Sequence, residues 1–260
     1  MLRFVRTGVA AAVAVLLVAA PVLAGDKKKE DPGQEELKQQ IEALKQGQQE
    51  ILKQLEEIKK LIPARPAPPA GPNVKDVVFS LGGNPIQGAE TAKLILVEFT
   101  DYQCPFCSRH ARETSPQVAR EFIETGKIRY ALLDYPLPMH PKAFDAAEAV
   151  RCAGDQGKFW EMHDRLFANQ QALEPLSGHA EALGLKAPEF EECRKSDKHA
   201  EAIRADMKEA QKAGFSGTPS FMLALTDPKD PKKVKGLIPI VGAQPFAKFK
   251  EEIEKALAGN

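Results

Sequence analysis

The sequence predicts an α/β domain carried behind a helical stalk, and three observations predict it. An apolar run of strand length, Leu94-Ile95-Leu96-Val97-Glu98-Phe99, leads into a helix-start pattern at Cys104-Pro105-Phe106-Cys107 and then a second strand-like run, Ile128 to Leu133. The last part of the chain repeats the alternation, so the order reads β-α-β, several helices, then β-β-α. Upstream, apolar residues recur at spacings of four and three from Leu37 to Ile62, a face too narrow for a core helix.

The N-terminal residues 1–24 read as a secretory signal. Arg3 and Arg6 form a positive start, Gly8 to Ala20 is an apolar run, and Val22-Leu23-Ala24 supplies small residues for cleavage after Ala24. An uncut membrane anchor is the competing reading, although the run is short of the roughly 20 residues that a spanning helix needs. Asp26 stands where a lipoprotein signal would lead to a cysteine, so lipidation is not expected.

Residues 25–62 form a polar segment and a stalk, with Asp26 to Gly33 expected to be disordered. As heptads, Leu37, Leu44, Ile51 and Ile58 share one seam position, and Ile41, Gln48, Leu55 and Ile62 share the other. A lone helix of this length is marginal in water, so the reading is a coiled coil that recruits copies of itself. The alternative, a helix lying on the globular domain, is opposed by the Pro-rich spacer at 63–73, a semi-rigid extended segment.

Residues 74–260 hold the globular domain. After the first strand a helix runs from Pro105 to about Glu124 and stops near Gly126. Helices are predicted over Ala143 to Cys152, Lys158 to Gln171 and Glu189 to Ala213. Ser220 to Leu225 and Ile238 to Val241 read as strands across a Lys- and Pro-rich hairpin, and Phe246 to Leu257 as the closing helix.

Charge excludes some functions. The 36 Lys and Arg balance 36 Asp and Glu, and removing Arg3 and Arg6 with the signal leaves a net charge of −2. The densest basic stretch, Lys229 to Lys235, is broken by Asp230 and Pro231 and reads as a solvated turn, not a phosphate-binding patch. No nucleic-acid partner is expected.

The cysteines carry the chemistry. A Cys-x-x-Cys at a strand-to-helix junction places the first sulfur beside unpaired N–H groups and the positive end of the helix dipole, which favours its thiolate. Cys104 then takes the attack of a substrate thiol, and Cys107 resolves the mixed disulfide. Zinc would need two more ligands, and His110 has no second cluster to join. Haem attachment needs a histidine where Ser108 stands. A purely structural disulfide remains the third alternative. No metal and no cofactor are expected. Pairing Cys104 with Cys107 leaves Cys152 for Cys193, a structural disulfide between two predicted helices, with two buried free thiols as the alternative. The histidines His110, His140, His163, His179 and His199 are scattered and read as surface or capping residues, with His140 bordering the groove as a further option.

The run Val97-Glu98-Phe99-Thr100-Asp101-Tyr102-Gln103-Cys104-Pro105-Phe106-Cys107 resembles the active-site segment of DsbA-like thiol oxidoreductases of the thioredoxin superfamily. Gly157-Lys158-Phe159-Trp160 with His163, Asp164, Leu166 and Phe167, then Gly214 to Phe221, then Val241 to Pro245 resemble further motifs of that family in the same order. The resemblance spans Asp76 to the C-terminus and leaves out stalk and spacer. It implies a thioredoxin-like fold interrupted by a helical insertion at about 141–213. It also implies a cis-proline loop at Thr218-Pro219 facing the dithiol, with Thr218, Pro219, Pro105 and Phe106 contacting substrate. A carboxylate inside an apolar strand needs work or a partner. Similar proteins keep an acidic group beneath the dithiol, the role implied for Glu98; an outward-facing Glu on a strand edge is the alternative.

The implied activity is disulfide formation or exchange in exported, cysteine-containing proteins, in the periplasm or another extracytoplasmic space, with a membrane partner for recycling. Phe106 stands where strongly oxidising relatives carry a histidine, so a milder oxidant is expected. The stalk and Thr218 point toward a multimeric isomerase or reductase, and a non-enzymatic holdase is the remaining class.

Overall fold

The computed structural model describes residues 32–61 and 71–259. The signal segment, the polar stretch up to Asp31, the seam residue Ile62, spacer residues 63–70 and residue 260 lie outside the described residues. The chain divides into two compact units, Met1–Arg65 and Pro66–Asn260.

Among the described residues of the first unit, a helix, α1, runs over Pro32–Leu61. Proline suits a helix's first turn, where its missing N–H would have no partner. Pro32 and Gly33 therefore belong to the helix, not to the disordered segment expected there. Thirty residues make a rod about 45 Å long. Leu37, Ile41, Leu44, Ile51, Leu55 and Ile58 are 44–71% exposed along it, as is Leu52 at 62%. Glu35–Lys38 and Glu42–Lys45 pair one turn apart on its surface.

The second unit is built on a six-stranded sheet in the order β1-β6-β5-β3-β4-β2. The strands are β1 (Val78–Ser80), β2 (Ile86–Gln87), β3 (Leu94–Thr100), β4 (Arg129–Asp134), β5 (Ser220–Thr226) and β6 (Lys233–Val241). Central β3 pairs parallel with β4 and antiparallel with β5, and every one of its residues is buried. Side chains alternate across a strand. Ile95, Val97 and Phe99 enter one core, with Met222, Ala224 and Phe215. Leu94 and Leu96 enter the other, with Tyr130, Phe221, Phe249 and Ile253. By that period Glu98 faces the second core; it is 2% exposed on the central strand, which overturns the edge-strand alternative.

The helix after β3 begins as α2 (Pro105–Arg109) and continues through α3 (Ser115–Val118). Two wider, π-wound turns interrupt it at His110–Thr114 and Ala119–Ile123. The helical insertion comprises α4 (Ala143–Gly154), α5 (Phe159–Ala168), α6 (Leu176–Ala182), α7 (Ala187–Lys195) and α8 (Ala200–Lys212), and α9 (Phe246–Ala258) closes the chain. The one helix expected from Glu189 to Ala213 is thus two, broken where Asp197 takes a left-handed φ of 50°. The lysine-rich stretch is also not a turn throughout. β6 already starts at Lys233, with Lys233 and Lys235 exposed and Val234 and Gly236 buried between them. Only glycine fits at 236, where a Cβ would come within 2.3 Å of the Val74 carbonyl oxygen.

Candidate active site

The chain leaves β3 at Thr100 and is clamped at once by Asp101, a buried residue. One Asp101 carboxylate oxygen accepts the N–H groups of Gln103 and Cys104 at 2.8 and 3.1 Å. The other accepts the Leu137 N–H at 2.8 Å and pairs with His140 Nδ1 at 2.8 Å. Asp101 thus ties the turn that presents the dithiol to the loop entering the insertion, and it places His140 at the edge of the site. Gln170 donates to the Tyr102 and Cys104 carbonyls at 3.0 and 2.8 Å, fixing the same turn from the insertion side.

Cys104 caps α2 in an extended conformation, with Pro105 on the first helical turn. Its Sγ lies 3.4 Å from the Thr218 carbonyl oxygen, and the Thr218–Pro219 peptide bond is cis. Both thiols are free. A hydrogen bond from the Cys107 thiol pulls the Cys104 pKa down to about 6, against the opposing effect of burial and with help from Thr218 and the N–H groups of Cys107 and Phe106. Cys107 moves the other way: burial pushes it well above the ordinary thiol range, and the sulfur of Cys104 and the Glu98 carboxylate add to that. One sulfur is therefore an anion near neutral pH and the other a proton-holding thiol. Phe106 is 54% exposed beside them, with the Arg109 guanidinium 5.3 Å over its ring.

Beneath the pair lies a buried polar cluster. Tyr130 donates its hydroxyl to Glu98 Oε2 at 2.6 Å, and His110 Nε2 stands 3.4 Å from the same oxygen. Burial, and secondarily Glu98, hold the Tyr130 phenol well above its usual pKa, so it stays a donor. Burial lowers the His110 pKa despite the upward pull of Glu98, so the imidazole is neutral at pH 7. His110 packs against Phe221 and Phe249, which also touch each other.

The structure thus brings Cys104, Cys107, Glu98, Thr218, Pro219, Pro105 and Phe106 into one region. Sequence reasoning missed Tyr130, Asp101 and the position of His110. The only signal for the cluster was a carboxylate in an apolar strand, which calls for a partner without naming it. The surface reading of the histidines is corrected: His110, His163 and His179 are buried. His163 pairs with Asp164, and His179 lies 2.9 Å from the Ala172 carbonyl. Away from the dithiol, a disulfide between Cys152 and Cys193 joins α4 to α7. Cys152, Asp155, Cys193 and His199 come within metal-ligating range of one another, but the two sulfurs are bonded together, which leaves one imidazole and one carboxylate.

A family model described as thioredoxin matches residues 80–239. Among curated relatives, the Na(+)/H(+) antiporter NhaA 1 of Salinispora arenicola is 39% identical over 141 residues, 53% of this chain. The match spans only 21% of that antiporter, and no described helix is long and apolar enough to cross a membrane. Among solved structures, alpha-DsbA1 of Wolbachia pipientis superposes with a TM-score of 0.58 at 23% identity, covering 70% of this chain and 94% of that one. Oxidised BdbD of Bacillus subtilis gives 0.58 at 23% identity, covering 71% and 99%. At these identities the likeness shows the shared fold.

Proposed function

This chain belongs to the thioredoxin family, and on that premise we propose that it is a DsbA-like thiol–disulfide oxidoreductase that forms and exchanges disulfides in exported proteins through Cys104 and Cys107. The observation that carries this reading is the split between the two sulfurs, one with its pKa lowered to about 6 and one raised by burial. In the oxidised enzyme a substrate thiolate attacks Cys104 Sγ, the Cys104–Cys107 bond breaks, and Cys107 leaves and takes up a proton. A second substrate thiolate then attacks the substrate sulfur of the mixed disulfide. Cys104 departs as a stabilised thiolate, a low-pKa leaving group. Two electrons pass from substrate to dithiol, and the disulfide of a membrane partner takes them on. The cis-proline loop supports an extended substrate lying across Thr218, Pro219, Pro105 and Phe106. An oxidising compartment outside the cytosol suits the Cys152–Cys193 disulfide.

Glu98 serves in this scheme as the proton acceptor and donor of Cys107, held in place by Tyr130 and His110. Glu98→Gln should keep the fold and slow release of the mixed disulfide by Cys107, the direction of exchange in which the Cys107 proton must be removed, by about 100-fold or more. Stopped-flow exchange rates from pH 5 to 9 read this directly; rates equal to wild type throughout would remove the role.

The direction of net reaction is tested by equilibrating the protein with glutathione and by refolding a reduced and a scrambled substrate in parallel. Faster recovery of the reduced substrate supports the oxidase. Preference for the scrambled substrate supports the isomerase, a reading favoured by the exposed apolar seam of α1. The seam would join copies of this chain. Sedimentation should show the protein as an oligomer and a chain starting at Asn73 as a monomer with intact thiol exchange; a monomeric full chain would exclude the stalk as the assembly element. A Cys104/Cys107→Ser double variant that keeps full activity would leave only the holdase.

A further inference from the structure

At the end of the sheet opposite the dithiol, the starts of β3 and β4 and the end of β5 enclose a cleft of about 550 Å³. Seven residues of β3, about 20 Å of strand, separate it from Cys104. On its wall Arg129 is only 8% exposed, and among the described residues its guanidinium has no hydrogen bond and no ion pair; its Nε is buried and unpartnered. A buried cation without a partner is among the costliest arrangements in a protein interior. Thr226 adds a second buried, unpartnered group, its Oγ1, in the same cleft.

We propose that this cleft binds an organic monocarboxylate, with the carboxylate on the Arg129 fork and its apolar body against Leu225, Pro228 and Pro231. The guanidinium matches a carboxylate through two parallel N–H···O bonds. Thr226 is placed to donate to the same group, and the exposed Lys93 stands at the rim. The charge of the lining selects a monoanion: Arg129 and Lys93 are offset by Glu90 and Asp227, so a polyanion would meet two carboxylates for its two cations. The volume and the largely apolar wall are those of a small-molecule site. Nothing in the dithiol reaction uses it.

Octanoate is the probe, with octanol and inorganic phosphate as its neutral and polyanionic counterparts, added to the full chain and followed by calorimetry and by the Arg129 Nε–H resonance. Saturable octanoate binding that shifts that resonance is expected, with neither counterpart matching it. Arg129→Gln should weaken octanoate by about tenfold or more while thiol exchange is unchanged. Thr226→Val, which keeps the charge, provides the comparison if the arginine variant does not fold and should weaken octanoate by about threefold to tenfold. Octanol binding as tightly, phosphate binding as tightly, no saturable octanoate binding, or unchanged affinity in the foldable variant would each overturn the assignment.

Discussion

Cys107→Ser should accumulate a stable mixed disulfide with substrate through Cys104, whereas Cys104→Ser should drop thiol exchange to the uncatalysed background. The asymmetry follows from the two sulfurs. Only Cys104 has its pKa lowered, to about 6, while Cys107 is buried and held protonated. The thiolate is the nucleophile. Alkylation of the reduced wild type should therefore rise tenfold per pH unit up to about 6 and flatten above it. The same shift bears on stability. A thiol whose pKa falls from 9.0 to about 6 on folding stabilises the reduced fold fully above 9 and loses that contribution as pH falls through about 6. Above 9 the raised Cys107 opposes it, so the gain is read between 6 and 9. Urea midpoints of the reduced and oxidised forms, compared across that window, should show the reduced form gaining with pH. Parallel curves, or a thiol that alkylates with an inflection near 9, would mean that neither the Cys107 thiol nor the helix start activates Cys104.

The strand-to-helix junction was legible because its signals are local: an apolar run, a proline on the first helical turn, and two cysteines three apart. The thioredoxin-like fold with its helical insertion followed from motifs placed in order, and both the family match and the structure bear it out. What stayed illegible depends on convergence in space. Tyr130 and His110 are 32 and 12 residues from Glu98, and nothing local in either residue points at a carboxylate. The π-wound turn that starts at His110 carries no sequence signature of its own. The gap between α7 and α8 contains neither glycine nor proline, so an unbroken helical pattern ran through Ser196–His199. β2, at two residues, is too short to show a period. β6 was readable in retrospect. Lys233, Val234, Lys235 and Gly236 alternate with period two, but two lysines in four residues read as loop.

Arg151→Met should destabilise the domain by about 3–5 kcal/mol, the cost of stripping the partner from buried charges. Arg151 is 8% exposed. It donates from Nε to Asp134 at 2.5 Å and from one terminal nitrogen to Asp206 and Asn84, both at 2.5 Å. Asn84 returns a bond to Asp206 at 2.7 Å, and the Asp134 N–H donates to Asp206 at 3.0 Å. One guanidinium thereby joins the end of β4 to α4, α8 and the segment before β2, fastening the insertion to the sheet next to the catalytic turn. Methionine would leave two carboxylates facing each other in the interior. The network also has a pH signature. Burial, and then Asp134, raise the Asp206 pKa from 3.8 to about 7. A carboxyl raised on folding contributes stability that is full below its unfolded pKa and lost as pH rises through the folded one, so this contribution should fade between about 4 and 7. Asp206→Asn, which keeps the shape and removes the titration, should flatten stability over that range in chemical unfolding. Arg151→Met should recover part of its loss at acid pH, where one carboxyl holds its proton. A wild-type profile indistinguishable from that of Asp206→Asn would show that Arg151 alone neutralises both carboxylates and that no proton is shared.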